Sequence, residues 1–258
     1  MNELKGLGVA MITPFTKAGE VDVPALKKLT DHLVTGGADY LVVMGTTGES
    51  VTLNKEERKL VLDTVMACNN GRKPIVLGIG GNNTQDIAAQ LSRLETHGIS
   101  AILSVTPYYN KPTQNGLYEH YKALSESSKL PIILYNVPGR TGVNLLPDTV
   151  SRIAFDCRNV IGIKEASGNV EQVMAVIQQT PKEFMVISGD DALTLPLIAS
   201  GADGVISVVG NAFPKEFSEM VHHALNNEMD QARAIHYRLL DIIHLLFTEG
   251  NPAGIKEV

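Results

Sequence analysis

Short runs of β-branched and other apolar residues alternate with amphipathic stretches eight times along this chain, and that alternation constrains the fold more than any other feature. The runs fall at 7–12, 40–43, 75–77, 101–104, 132–135, 160–164, 185–188 and 204–207. Val160, Ile161 and Ile163 are β-branched, as suits a parallel strand covered on both faces. Between the runs lie helices with readable starts. Val23-Pro24 opens the first, with Leu26, Leu29 and Leu33 on one face. Asn54 caps the second, and Glu56 and Glu57 in its first turn suit the helix dipole. Others start near Thr84, span 116–125, start at Pro147, span 170–178, start near Ala192, and open at Phe213-Pro214. Eight such units close most economically into a (β/α)8 barrel; an open doubly wound sheet would need fewer strands or a break in the rhythm. Residues 1–225 form that α/β barrel and 226–258 a C-terminal helical extension. A long helix at 229–247 carries Ala232, Ile235, Leu239, Ile242 and Leu246 as a buried stripe.

Length and composition agree with one barrel domain. The 258 residues are 44% hydrophobic, enough for a sizeable core. Net charge is −6 with no long run of one sign, which argues against nucleic acid or an anionic membrane as partner. An anionic substrate would then need a local cationic pocket. Cys68 and Cys157 lie far apart, fit no zinc or CxxC spacing, and read as reduced, incidental thiols. No charged-then-apolar leader and no membrane-length apolar run are visible, so a cytoplasmic location is expected.

In a barrel of this kind the chemistry collects where strands end. Lys164 closes the sixth run. A lysine there is costly to bury as a cation, which favours the free amine that a Schiff base needs; a lysine snorkelling into water is the plainer reading. Gly45-Thr46-Thr47-Gly48-Glu49 follows the second run and offers backbone N–H groups and two hydroxyls to an anion, or is simply a capped turn. Gly78-Ile79-Gly80-Gly81-Asn82-Asn83 fails as a dinucleotide fingerprint, because Asn83 stands where the last glycine is needed. Pro107-Tyr108-Tyr109-Asn110-Lys111-Pro112 carries two tyrosines for packing or for a free hydroxyl. Tyr135 ends the fifth run, and Arg140 follows in a Pro-Gly turn, able to hold a carboxylate bidentately or to pair with a surface acid. Gly189 permits a close approach after the seventh run. Asp190 and Asp191 read as caps for the next helix. The seven histidines fall in helices and form no metal cluster.

Taken together, Gly45-Thr46-Thr47-Gly48-Glu49, Tyr135-Asn136-Val137-Pro138-Gly139-Arg140-Thr141-Gly142 and Gly162-Ile163-Lys164-Glu165-Ala166-Ser167-Gly168 resemble the dihydrodipicolinate synthase family, in order and in register, from about Gly6 to Ile255. The resemblance implies a class I pyruvate aldolase barrel that condenses pyruvate with aspartate-4-semialdehyde on the way to diaminopimelate and lysine. It implies no metal or organic cofactor, only a covalent imine of pyruvate on Lys164. Tyr135 would then relay protons with Thr46 and Tyr109, the last lent by a neighbouring subunit of a homodimer or homotetramer. Thr47 would hold the pyruvate carboxylate, Arg140 that of the semialdehyde, and Gly189 and Ile206 would give backbone contacts. Sister enzymes such as N-acetylneuraminate lyase or a keto-acid aldolase share the lysine, tyrosine and threonine loop but usually lack the arginine, so Arg140 favours the synthase. A barrel that only binds is disfavoured by the retained lysine, tyrosine and threonines. Lysine-inhibited members carry an effector pattern whose matching positions here are Ser50, Val51, Lys55, Arg58, Asn82, Asp86 and Tyr108. Two cations there imply weak or absent lysine inhibition. Family members also continue for some helical turns past Asn251-Pro252. Their absence here implies an intact site with weaker stability or assembly and partial exposure of Leu245, Leu246 and Phe247.

Overall fold

A computed structural model of the protein describes residues 2–258. Eight parallel strands run β1 (Gly6–Ala10), β2 (Tyr40–Val43), β3 (Ile75–Gly78), β4 (Ala101–Val105), β5 (Ile132–Asn136), β6 (Val160–Glu165), β7 (Met185–Ser188) and β8 (Gly204–Ser207). Each pairs with the next, and β8 returns to β1, closing the barrel. Closure depends on two glycines facing each other. Gly6 pairs with Gly204, and a Cβ on Gly204 would lie 2.1 Å from the Gly6 carbonyl oxygen. Both have positive φ, +93° and +145°, a conformation that side chains resist.

The helices are α1 (Val23–Thr35), α2 (Lys55–Asn69), α3 (Thr84–Arg93), α4 (Gln114–Ser127), α5 (Pro138–Thr141), α6 (Pro147–Asp156), α7 (Val170–Gln179), α8 (Thr194–Ala199), α9 (Pro214–Leu225), α10 (Met229–Leu246) and α11 (Ala253–Lys256). The expected cap at Asn54 is a full capping box. Its side chain accepts from Glu57 N while Glu57 accepts from Asn54 N. Two helices escape periodicity because they are single turns: α5, inside the Pro138-Gly139-Arg140-Thr141 turn, and α11 near the end of the chain. On α10 the buried stripe runs through Ile243 rather than Ile242 and includes His236, the geometry of a helix that drifts around its axis. His97 is not helical but sits in the turn after α3.

Alternation along the strands divides the core into two shells. Ala10, Tyr40, Val42, Leu103, Ile133, Tyr135 and Ile187 fill the barrel. Leu7, Val9, Leu41, Ile102, Leu134 and Ile163 face outward and meet the buried faces of the helices, such as Leu26, Leu117, Val173 and Phe217. Beyond the eighth unit, α10 packs on α9. The chain then turns back so that Ile255 is buried in the outer shell and residues 251–256 lie against the strand-end side of the barrel. Leu246 is buried, while Leu245 and Phe247 are exposed. Among the described residues, no helix is long and apolar enough to cross a membrane.

Candidate active site

Strand register brings the two central residues together. Tyr135 on β5 and Lys164 on β6 stand opposite each other. Both point into the barrel, and Lys164 Nζ lies 4.6 Å from the centre of the Tyr135 ring. Lys164 is only 5% exposed and has no carboxylate partner among the described residues. The face of the Tyr135 ring takes the place of a carboxylate beside this amine. Gly189 explains how its stem fits, because a Cβ there would come within 2.9 Å of Lys164 Cε and 2.6 Å of Ala166 Cβ. Ile206, the other proposed backbone contact, lies buried inside the barrel on β8.

A buried polar network fixes these strand ends from behind. Glu165 and Asn136 follow Lys164 and Tyr135 and face outward. Glu165 Oε2 accepts from Asn136 Nδ2 at 2.9 Å and from Gln172 Nε2 at 3.0 Å. Glu165 Oε1 accepts from Ser167 N at 2.7 Å. Asn144 ties the same groups, accepting from Asn136 Nδ2 at 2.8 Å and donating to Gln172 Oε1 at 2.7 Å. Each oxygen of the carboxylate thus has a donor, so burial of the group is compensated. Nothing local in the sequence marks this network, because its members lie in separate segments and each reads as an ordinary polar residue.

The Gly45–Glu49 loop forms a single 3-10 turn over Thr46–Gly48. It is flanked by two non-glycine residues in left-handed conformation, Met44 at φ +62° and Glu49 at φ +54°, a strain that loops keep where geometry matters. Gly48 N and Glu49 N bond back to Gly45 O and Thr46 O. The leading amides, Thr46 and Thr47, have no partner within the turn. Thr47 is buried and Thr46 half-buried. The Thr46 and Tyr135 hydroxyls make no hydrogen bond to one another.

Two features of this mouth come from the far end of the chain. Asn251 Nδ2 donates to Thr47 Oγ1 at 2.9 Å, and Asn251 O accepts from Arg140 Nη2 at 3.0 Å. Lys256 pairs with Glu49 and sits 4.4 Å over the Phe15 ring. Only the Asn-Pro dipeptide signals a special turn here, and nothing local points it at Thr47.

Other expected residues are placed as follows. Arg140 is at the rim on α5 and exposed. Tyr109 is 85% exposed, at φ +74°, whereas Lys164 is buried. Asp190 caps the turn into α8 as expected, accepting from Ala192 N and Leu193 N. Asp191 does not cap; it reaches to the loop after β8, where Oδ2 accepts from Val208 N at 3.0 Å and Val209 N at 2.8 Å. Burial pushes its carboxyl up to about 6 despite those donors. Of the positions matched to the family's effector pattern, Asn82 and Tyr108 meet, Asn82 Nδ2 donating to Tyr108 O at 3.2 Å. Lys55, Arg58 and Asp86 are exposed, Ser50 half-buried, and Arg58 turns back to Leu53 O. Among the described residues, no group of three or more metal-ligating side chains comes together.

A closed parallel barrel with a buried lysine, a tyrosine and a glycine-threonine turn at its strand ends is the layout of a (β/α)8 enzyme. The chain belongs to the dihydrodipicolinate synthetase family, whose model matches residues 3–258. It is 53% identical to a 4-hydroxy-tetrahydrodipicolinate synthase of Flavobacterium psychrophilum over 258 residues, covering 100% of this chain and 88% of that protein. A 4-hydroxy-tetrahydrodipicolinate synthase of Porphyromonas gingivalis is 54% identical, with 99% of this chain and 86% of the relative covered. Among solved structures, the chloride-inhibited dihydrodipicolinate synthase of Acinetobacter baumannii complexed with pyruvate superposes with a TM-score of 0.95 at 42% identity, covering 98% of this chain and 87% of that one.

Proposed function

We propose that this barrel condenses pyruvate with L-aspartate-4-semialdehyde to give 4-hydroxy-tetrahydrodipicolinate, a step of diaminopimelate and lysine biosynthesis. The observation that carries the reading is Lys164, buried beside Tyr135 at the strand ends of a chain that matches such synthases along its whole length. The free amine of Lys164 attacks the pyruvate ketone, and loss of water leaves an iminium ion. That cation is the electron sink, so no cofactor is required for the methyl carbon to release a proton and become an enamine. The enamine carbon attacks the aldehyde and forms the new C–C bond; the alkoxide takes up a proton. The substrate's own amine then displaces Lys164 from the imine carbon, closing the ring and freeing the enzyme.

Roles follow from position. Thr47, by hydroxyl and N–H, holds the pyruvate carboxylate in a site where directed donors replace water. Arg140 at the rim holds the carboxylate of the semialdehyde. Gly189 and Ile206 line the shaft through their backbone. Tyr135, Thr46 and Tyr109 pass protons, and because Tyr109 faces outward in its own chain it serves a second copy in a homodimer or homotetramer. A sister pyruvate aldolase is the second reading, and Arg140 counts against it. Location in the cytoplasm accompanies the biosynthetic role. Lysine at millimolar concentration is expected to inhibit weakly or not at all, because Lys55 and Arg58 repel a cationic effector; half-inhibition at low lysine would refute this.

Pyruvate followed by borohydride, with intact mass and peptide mapping, tests the whole scheme. One adduct on Lys164 is the expected result. A folded protein without an adduct refutes it.

A further inference from the structure

Asn251 touches the two groups to which the substrate carboxylates are assigned. Its side-chain amide donates to Thr47 Oγ1, and its main-chain carbonyl accepts from Arg140 Nη2. From these contacts we infer that Asn251 is a positioning residue, setting the hydroxyl of Thr47 for the pyruvate carboxylate and the guanidinium of Arg140 for the second substrate. The inference rests on the substrate assignments of the preceding subsection.

A threonine hydroxyl has one proton and two acceptor positions. With one acceptor position filled by Asn251, the proton of Thr47 is turned elsewhere, and it has no acceptor among the described residues. It is therefore free for an incoming carboxylate. Arg140 commits one N–H to Asn251 O and keeps the rest of its five donors for a bidentate contact. The strap itself is held by other means: Ile255 is buried in the outer shell, and Lys256 pairs with Glu49.

The two arms make the inference testable, because substitution removes the side-chain arm and keeps the carbonyl. Asn251→Asp replaces the donor by an acceptor, so the Thr47 proton turns to Asp and is lost to pyruvate, and a negative charge faces the carboxylate. The expected result is a pyruvate KM raised about tenfold or more, with Asn251→Ala raising it about three- to tenfold. The KM for the semialdehyde and kcat at saturating pyruvate stay within about twofold, since the carbonyl that holds Arg140 remains in both variants. Melting temperatures are measured alongside; should the Asp variant melt early, the Ala variant carries the same comparison. A pyruvate KM that stays at the wild-type value in both variants overturns the inference. So does a parallel loss in both KM values and kcat, which marks a merely structural role. A wild-type protein that traps no pyruvate on Lys164 instead overturns the underlying functional reading, so the two failures are distinct.

Discussion

A methyl group at position 189 would press on Lys164 Cε at 2.9 Å and on Ala166 Cβ at 2.6 Å. The glycine therefore shapes the path of the lysine, not only the turn after β7. In Gly189→Ala the amine is displaced by a fraction of an ångström to an ångström. Trapping of the pyruvate imine is expected to slow by about 10²-fold, read by time-resolved borohydride quenching, and the melting temperature to fall as well, because Ala166 Cβ at 2.6 Å cannot swing aside. Asp191 is the other residue whose surroundings give it a measurable signature. It is 2% exposed, and burial raises its carboxyl from 3.8 to about 6. The folded state then holds the proton more tightly than the unfolded chain, so this group subtracts stability as pH rises from about 4 to about 6, and the loss is complete above that window. The size is about 3 kcal/mol at most, from two pKa units at 1.36 kcal/mol each. The substitution Asp191→Asn keeps one oxygen for Val208 N and Val209 N without a charge. It is expected to flatten the denaturation free energy across that window; an unchanged slope would mean that Asp191 does not titrate there.

At the scale of elements, β5 and β6 are positioned as a pair. Asn136, Glu165, Asn144 and Gln172 clamp their ends from outside the barrel, and Tyr135 and Lys164 are the inward-facing neighbours of the first two. Glu165 is surrounded by donors only. Glu165→Gln would set an amide NH2 against one of them and leave a buried clash of donors, costing about 1–3 kcal/mol. A lower urea midpoint together with a reduced kcat is expected, because the strand ends carry Lys164 and Tyr135, the groups proposed to do the chemistry. Stability without loss would show that the network is slack. The same scale shows why helix starts were easy to read and short turns were not. Asn54 with Glu57 is a cap signal contained in four neighbouring residues. The α5 and α11 turns have four residues each, fewer than one amphipathic period can mark.

For the whole molecule, the main feature is a barrel mouth assembled from distant pieces of the chain, with Tyr109 exposed on the loop after β4. That tyrosine is 85% exposed with a left-handed backbone, held by its N–H to Thr141 O. An exposed aromatic on a strained loop suits an interface better than solvent. On the proposal that a second copy receives it, Tyr109→Phe is expected to lower kcat by about 10²-fold while imine trapping on Lys164 persists. Mixing it with a Lys164→Ala chain should restore part of the activity, because each mutant supplies what the other lacks. No recovery on mixing would place Tyr109 outside the relay.

The sequence by itself determined the eightfold strand–helix rhythm, the strand ends at which Lys164 and Tyr135 sit, the glycine-threonine turn and the principal helix caps. All of these are set by local periodicity and side-chain chemistry within a few residues of one another. Only the tertiary structure decided that Asn251 joins Thr47 to Arg140, that Lys256 pins Glu49, that Asp191 crosses to the loop after β8 instead of capping, and that Gly189 makes room for Lys164. Those contacts depend on the register in which the barrel closes and on where the chain returns after its last long helix. Neither is encoded in any short stretch; both follow from packing the whole sequence around one core.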